Sequence, residues 1–353
     1  MRARFKNLDY ITLFLWILRT GIILLVIWGT IETILNNPYS PSQWSDFVVF
    51  GFAQGSMYAL IAIGYTLVYG VLFMINFAHG EFFMSGIMTA TVFLALPMSE
   101  SGFLDSHPII SLLVIAVTAM VVSVVVAVVT ERIAYKPLRK APRLVPLITA
   151  IGASLFWQNF YRGMLGSEVK PFPQLEILTG KVPFLGTEIL KVHIVVIIAT
   201  IIMLIGLNFF IMRTRTGKAI RAVAEDKDVA ALMGIDVDRT ITITFAAGAA
   251  MAGVAGVLYA LVFRQVHFYM GFIPGIKAFT AAVLGGIGSI PGAALGGLLL
   301  GMFESVGPSL FLQGLGIPAF NQLKDVIAFT MLVFVLIFRP QGILGERLAE
   351  KKA

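Results

Sequence analysis

Few residues in this chain could do covalent chemistry, and those able to handle a polar solute fall in short segments. The first is Asn76-Phe77-Ala78-His79-Gly80-Glu81, set between two apolar blocks. An amide, an imidazole and a carboxylate this close together can donate and accept hydrogen bonds and carry charge. In or near hydrocarbon such groups are costly unless they line a cavity or find partners. A helix beginning here would also leave backbone N–H groups free, and these could face a carboxylate or a polar solute. A capped, solvated turn at the inner membrane surface would account for the same residues, so composition leaves both readings open.

The second segment is the glycine-rich Leu284–Gly301, LGGIGSIPGAALGGLLLG. Gly288/Gly292 and Gly297/Gly301 are spaced four apart, which places small residues on one helix face and permits close helix approach. The break expected near Gly288 to Pro291 could equally expose backbone groups to a solute, as the broken helices of transporters do. The third segment is Ala219–Gly234, helix-favouring and mixed in charge, with Gly234 suited to end the helix. It reads either as a short helix outside the membrane that docks a soluble partner, or as a solvated connector.

Other chemistries find no support. Gly286-Ile287-Gly288 is not completed by a third glycine at Pro291, and Gly217-Lys218 lacks the upstream glycine and following Ser or Thr of a phosphate loop. The chain has no cysteine, so disulfides, iron–sulfur clusters and thiolate catalysis are excluded. His79, His107, His193 and His267 lie far apart without metal-ligand spacing, and no serine has a nearby His and acidic residue. Neither catalytic residues nor a metal site is expected. Glu304, Arg162 and Lys277 read as snorkelling or helix-end residues.

The elements that position these residues follow from composition. Of 353 residues, 58% are hydrophobic and 13% charged, too little charge to cover a soluble domain. Apolar blocks run from Ile11 to Leu35, Phe47 to Val71, Asn76 to Leu96, Ile109 to Thr130, Leu144 to Phe160, His193 to Met212, Ile241 to Phe263 and Val326 to Phe338. Blocks of about 20 residues match a hydrocarbon thickness of about 30 Å. The Pro274–Pro308 stretch reads as two short helices that either cross twice or dip in and return. The expected fold is an all-α polytopic membrane helix bundle, a single transmembrane domain over residues 1–353, with ten or eight spans.

The net charge of +7 has a topological explanation rather than a nucleic-acid one. Arg2, Arg4 and Lys6 precede the first block without a cleavage site, so this segment is expected to be retained as a span. The basic stretches Arg132–Arg143 (with Lys136, Arg139 and Lys140) and Arg213–Arg239 fall on one side when the helices alternate, as does a tail with Arg339, Arg347, Lys351 and Lys352. The opposite side holds only Lys170, Lys181, Lys191, Arg264 and Lys324. The positive-inside rule then puts both termini in the cytoplasm, and Gly163–Leu190 becomes an external loop or short hairpin.

Gly55–Gly86 (GSMYALIAIGYTLVYGVLFMINFAHGEFFMSG), Arg221–Arg239 (RAVAEDKDVAALMGIDVDR), Gly275–Ser305 (GIKAFTAAVLGGIGSIPGAALGGLLLGMFES) and Arg339–Gly345 (RPQGILG) together resemble the branched-chain amino acid ABC permease family, LivH type. The resemblance covers most of the chain from about residue 45 onward. It implies a bacterial inner-membrane importer subunit that catalyses no reaction. Its partners would be a second, non-identical permease, two cytoplasmic ABC ATPases that bind ATP and Mg2+, and a periplasmic or lipid-anchored binding protein. This chain itself would hold no cofactor. The loop at about 213–240 resembles the ATPase-docking pattern EAA-three residues-Gly, which falls loosely on Asp228, Val229, Ala230 and Gly234, with Arg221 and Glu225 on the same segment. Alternating access would then carry solute along Asn76, His79, Glu81 and the glycines Gly285, Gly286, Gly288 and Gly292. Urea and short-amide importers look similar, Phe77 leaning toward the amino acid branch. A secondary transporter would need paired carboxylates at mid-membrane, and Glu81 and Glu304 show no partner in the sequence.

Overall fold

The computed structural model describes residues 10–36, 38–139, 141–142, 144–184, 187–339 and 341–345. Arg2, Arg4, Lys6, Lys140, Arg143, Arg347, Lys351 and Lys352, used in the charge count, lie outside the described residues.

The long helices are α1 (Tyr10–Asn36), α2 (Pro41–Leu72), α3 (His79–Glu100), α4 (Pro108–Leu138), α5 (Leu144–Leu165) and α6 (Lys191–Arg213). Two short helices follow, α7 (Arg215–Glu225) and α8 (Lys227–Leu232). The chain then forms α9 (Val237–Phe263), α10 (Phe272–Gly285), α11 (Ile290–Leu312) and α12 (Phe320–Phe338). Among the described residues eight helices are long and apolar enough to cross a membrane. α5, of 22 residues, is not one of the eight, and α10 has only 14 residues, about 21 Å at 1.5 Å per residue, short of a hydrocarbon core of about 30 Å. α10 packs antiparallel on α11, with Ala281 against Gly296 and Gly285 against Gly292, so the Pro274–Pro308 stretch is a helical hairpin in which only α11 has the length of a span.

Local chemistry sets the boundaries. α2 starts earlier than its apolar block because Ser40 and Gln43 form a reciprocal capping box ahead of Pro41. The basic stretch after Thr130 is not a loop. α4 continues through a π-type turn, Glu131–Tyr135, and a tighter turn, Lys136–Leu138. Ion pairs hold it there: Arg139 bonds Glu131 and Asp238, and Lys136 lies 2.9 Å from Asp238 at the start of α9. The helix expected over Ala219–Gly234 is likewise two helices. Asp226 leaves helical geometry (φ −153, ψ 115), and its side chain accepts the N–H groups of Asp228 and Val229 at 2.9 and 3.0 Å, starting α8 afresh. The Gly163–Leu190 loop does contain a hairpin, β2 (Lys181–Phe184) with β3 (Thr187–Leu190). Its β1 (Lys170–Pro171) pairs with β4 (Gln265–Val266) beyond α9.

α2 is the central post. Nearly every residue from Ala53 to Val68 is buried, as befits a helix apolar on all faces, and α6, α9, α10 and α11 pack around it. α1, α4, α6 and α12 turn large apolar side chains outward, including Leu24, Ile109, Ile202 and Val333, which is the surface a bilayer covers. Small residues let the core helices approach until backbones touch. A Cβ on Gly55 would meet the Leu298 Cα at 2.8 Å, and one on Gly301 would meet the backbone of Gly55. Gly301→Val should therefore lower stability by about 1–3 kcal/mol or more, read as a fall of several degrees in the melting temperature of the detergent-solubilised protein. Gly152→Ala, where nothing lies within 4 Å, should leave it unchanged.

Candidate functional site

α2 ends where Phe73 takes the left-handed conformation (φ 54), its N–H reaching the Tyr69 carbonyl at 2.8 Å. The chain then folds back into the bundle. Asn76 Oδ1 accepts the Ala78 N–H at 3.1 Å and the Tyr135 hydroxyl at 2.6 Å, so Asn76 closes the turn ahead of the new helix and ties it to α4. The His79 ring packs edge-on to Tyr65 and Phe82, with centroids 4.8 and 5.6 Å apart. It sits against Gly64, where a Cβ would strike the imidazole and come within 3.0 Å of the Gly248 carbonyl. Gly64 precedes the last residue of α2 by eight positions, about 12 Å along the helix axis. Asn76, His79 and Glu81 are 1%, 0% and 0% exposed. The turn is hydrogen-bonded but not solvated, and the reading of a surface turn is corrected: small residues at 64 and 248 let the segment lie inside the bundle.

Glu81 is held by α5. Its Oε1 accepts the Ser154 hydroxyl at 2.9 Å and the Gln158 amide at 2.8 Å. Its Oε2 has no partner among the described residues, nor do Asn76 Nδ2 and both nitrogens of His79. The starts of α3 and α10 meet here backbone to backbone. A Cβ on Gly275 would lie 3.1 Å from the Gly80 Cα, and one on Gly271 would lie 3.1 Å from Glu81 Oε2. Beside this junction is a cavity of about 260 Å³ lined by Tyr65, Phe77, Ile151, Ser154, Leu155, Phe272 and Ile276. Ser154 belongs both to the cavity wall and to the Glu81 hydrogen bonds. Ser154 and Gln158 were not singled out in the sequence, although their spacing of four on an otherwise apolar helix places them on one face.

The glycine segment is not part of this cluster. Gly285 and Gly292 pack backbone to backbone. Gly286 (φ +108) abuts Gly342 and Gly345 of the tail, where Ile343 and Leu344 donate their N–H groups to Leu284 and Gly285, each at 2.9 Å. Only Gly288 is exposed. Gly285, Gly286 and Gly292 are closely packed, whereas Gly288 has open space around it and a φ of +102; the tie of this segment to His79 is indirect, through Phe279 against Tyr65.

Glu304 has a partner after all. Lys277 Nζ lies 3.1 Å from both of its carboxylate oxygens and 2.6 Å from Asp325 Oδ1. Gln54 and Tyr58 donate to Glu304 Oε2 at 2.8 and 2.9 Å. Lys277 and Glu304 are buried, so neither snorkels; their pairing joins α10, α11 and α12 to the central helix.

On the side of the basic loops, α7 buries Gly217, Ile220 and Val223 and exposes Arg221 and Glu225. α8 buries Ala230, while Asp228 and Gly234 are exposed. Gly234 holds φ +82, and the Ile235 N–H closes the helix end onto the Ala230 carbonyl at 3.1 Å. Val229, Leu232 and Met233 are 54%, 87% and 77% exposed, an apolar trio outside the spans.

A family model described as the branched-chain amino acid transport system / permease component matches residues 47–336. The chain belongs to this permease family. It is 46% identical over 307 residues, covering 86% of this chain and 96% of the relative, to the high-affinity branched-chain amino acid transport system permease protein BraD of Pseudomonas aeruginosa. It is 43% identical over 309 residues, covering 85% and 95%, to the permease protein LivH of the same description from Escherichia coli K12. No solved structure matches. As a permease, the chain is a multi-pass transport subunit and not an enzyme.

Within this permease the Lys277–Glu304 pair makes a clear stability prediction. Lys277→Met alone leaves a buried carboxylate without its cation and should cost about 3–5 kcal/mol. The double variant Lys277→Met/Glu304→Gln should recover much of that loss in thermal melting, because no buried charge is left unpaired; Asp325, which also loses Lys277, is part-exposed and solvated.

Proposed function

We propose that this chain is a permease subunit of an ABC importer that moves branched-chain amino acids across the bacterial inner membrane, with both termini in the cytoplasm. The observation that carries the reading is the match over 86% of the chain to a permease described as serving branched-chain amino acids; no urea or amide carrier stands among the relatives reported above. ATP and Mg2+ are handled by two separate ATPases, which dock on α7–α8. The exposed trio Val229, Leu232 and Met233, with exposed Arg221, Glu225 and Asp228 on the same α7–α8 segment, supports that role: apolar anchors with polar neighbours are what a protein partner covers. Ala230 faces inward and Gly234 ends the helix, so those two shape the surface rather than contact the partner.

The solute passes along the face of α5, against a second, non-identical permease. α5 crosses the bundle yet exposes Asn159 and Gly152 among its apolar residues, a face better suited to protein or solute than to lipid. It also carries Ser154 and Gln158, which hold Glu81 beside the 260 Å³ cavity. An amino acid brings an ammonium and a carboxylate as well as a branched apolar side chain. Glu81 at the edge of a cavity walled by Tyr65, Phe77 and Ile276 offers partners for the first and last. A periplasmic or lipid-anchored binding protein supplies affinity, so the permease site needs only weak, alternating exposure.

Reconstituted with its partner permease, ATPases and binding protein, the transporter should lose uptake by about tenfold or more with Glu81→Ala while its subunits still co-purify. Leu232→Asp with Met233→Asp should instead release the ATPases, by removing apolar anchors. Normal leucine uptake with Glu81→Ala in an intact complex would remove this segment from the pathway.

A further inference from the structure

The first residue beyond α2 touches the α7–α8 segment. Phe73 holds a left-handed cap (φ 54, ψ 31) that a side-chain-bearing residue adopts at a cost, and its ring is 52% exposed on the side of the basic loops. Lys227, the first residue of α8, sets its ammonium 5.5 Å from the centroid of that ring. The ammonium is half-buried; burial, and then the charge of Arg139, pull its pKa below the ordinary lysine range, with Asp228 opposing. A cation kept there despite those penalties is stabilised by the face of an aromatic ring. Three residues beyond Phe73, Asn76 holds the turn into α3: its side chain accepts the Ala78 N–H and its backbone carbonyl accepts the His79 N–H at 3.1 Å.

The connection is short and lacks alternatives on its own strand of chain. Between Phe73 and Ala78 there is no helix. α2 is packed by α6, α9, α10 and α11, and α7 also reaches it. α8, through Lys227, meets instead the single-residue left-handed hinge at Phe73. Tyr69 backs the Phe73 ring at 6.2 Å, which limits its freedom to swing away. A parallel link runs from Asn76 to Tyr135 of α4, whose neighbour Glu131 is bonded to Arg139.

We propose that the Lys227–Phe73 contact transmits movement of the α7–α8 segment to the Asn76–Glu81 turn, with Lys227 and Phe73 as positioning residues for transport. The proposal rests on the reading of α7–α8 as the ATPase-docking surface. Neither residue touches solute. Each acts by holding the turn in register with the docked motor, so that ATP-driven motion reaches the cavity beside Glu81.

The test uses the complete reconstituted transporter and measures leucine taken up per ATP hydrolysed, ATPase co-purification and melting temperature in parallel. Lys227→Met and Phe73→Ala should keep the ATPases bound and hydrolysing while uptake per ATP falls about three- to tenfold. Lys227→Arg and Phe73→Tyr, which keep a cation over a ring, should restore the native ratio. The double variant Lys227→Met/Phe73→Ala should be no worse than either single one, as expected of two residues in one contact. A native ratio in both Lys227→Met and Phe73→Ala would overturn the proposal, as would a loss in Lys227→Met that Lys227→Arg fails to restore at unchanged melting temperature. Should Phe73→Ala fail to fold, the part-exposed Lys227→Met and Lys227→Arg decide alone. Retention of the ATPases by the Leu232→Asp/Met233→Asp variant would sink the docking reading itself, independently of the ratio.

Discussion

Hydrocarbon offers no water to a buried polar group, and that absence governs this structure. Each such group must find a partner inside the protein or be very expensive. Glu81 takes its hydrogen bonds from Ser154 and Gln158, Asn76 takes one from Tyr135, and Glu304 takes its cation from Lys277 and two further donors from Gln54 and Tyr58. These bonds cross between helices, so they decide which helices are neighbours and at what height. Small residues then make the approach feasible: Gly64 and Gly248 admit the His79 ring, and Gly80, Gly271 and Gly275 let two helix starts touch.

From this follows an architecture with two kinds of helix. The outer helices meet lipid and are plain apolar rods. Around the unbroken α2 and α9, the inner chain breaks ahead of α3 and α10, and the first break carries the polar residues. α3 begins inside the bundle and α10 is too short to cross as a helix, and their starts converge on Glu81 beside a cavity. Irregular backbone at membrane depth is tolerated where protein or a cavity surrounds it. On the proposed pathway, the unpartnered polar atoms of Asn76, His79 and Glu81 would give a passing solute groups to exchange with. A deep, fully satisfied binding pocket would slow release, which a conveyor does not want.

Much of this was legible in the residues. Apolar runs from Ile11, Ile109, His193 and Ile241 are rods in the structure because length and composition suffice to make a span. The polar cluster at Asn76–Glu81 was visible as chemistry, but its depth was not, since depth depends on Gly64 and Gly248, which are remote in sequence. The partner of Glu304 was missed because Lys277 sits on another helix, and pairing across helices leaves no local period. The split at Asp226 was present in a capping residue followed by Asp228, yet the strong helix propensity on either side concealed it. The basic stretch after Thr130 read as a loop because its charge count hid the acidic partners, Glu131 and Asp238, that fold it into α4. The glycines at 285, 286 and 292 read equally as helix packing or as solute contacts, and the structure sets backbone atoms against each of them.

The account turns on Glu81 and Ser154 lying on a passage that opens alternately. The chain has no cysteine, so Ser154→Cys would be the single thiol on this subunit. Its labelling by a membrane-impermeant maleimide, in proteoliposomes with the complete transporter and all other subunits free of accessible thiols, measures the claim directly. Labelling from one side without nucleotide and from the other in an ATP-trapped state is the predicted result. Labelling from the same side in both states, or from neither, would contradict it.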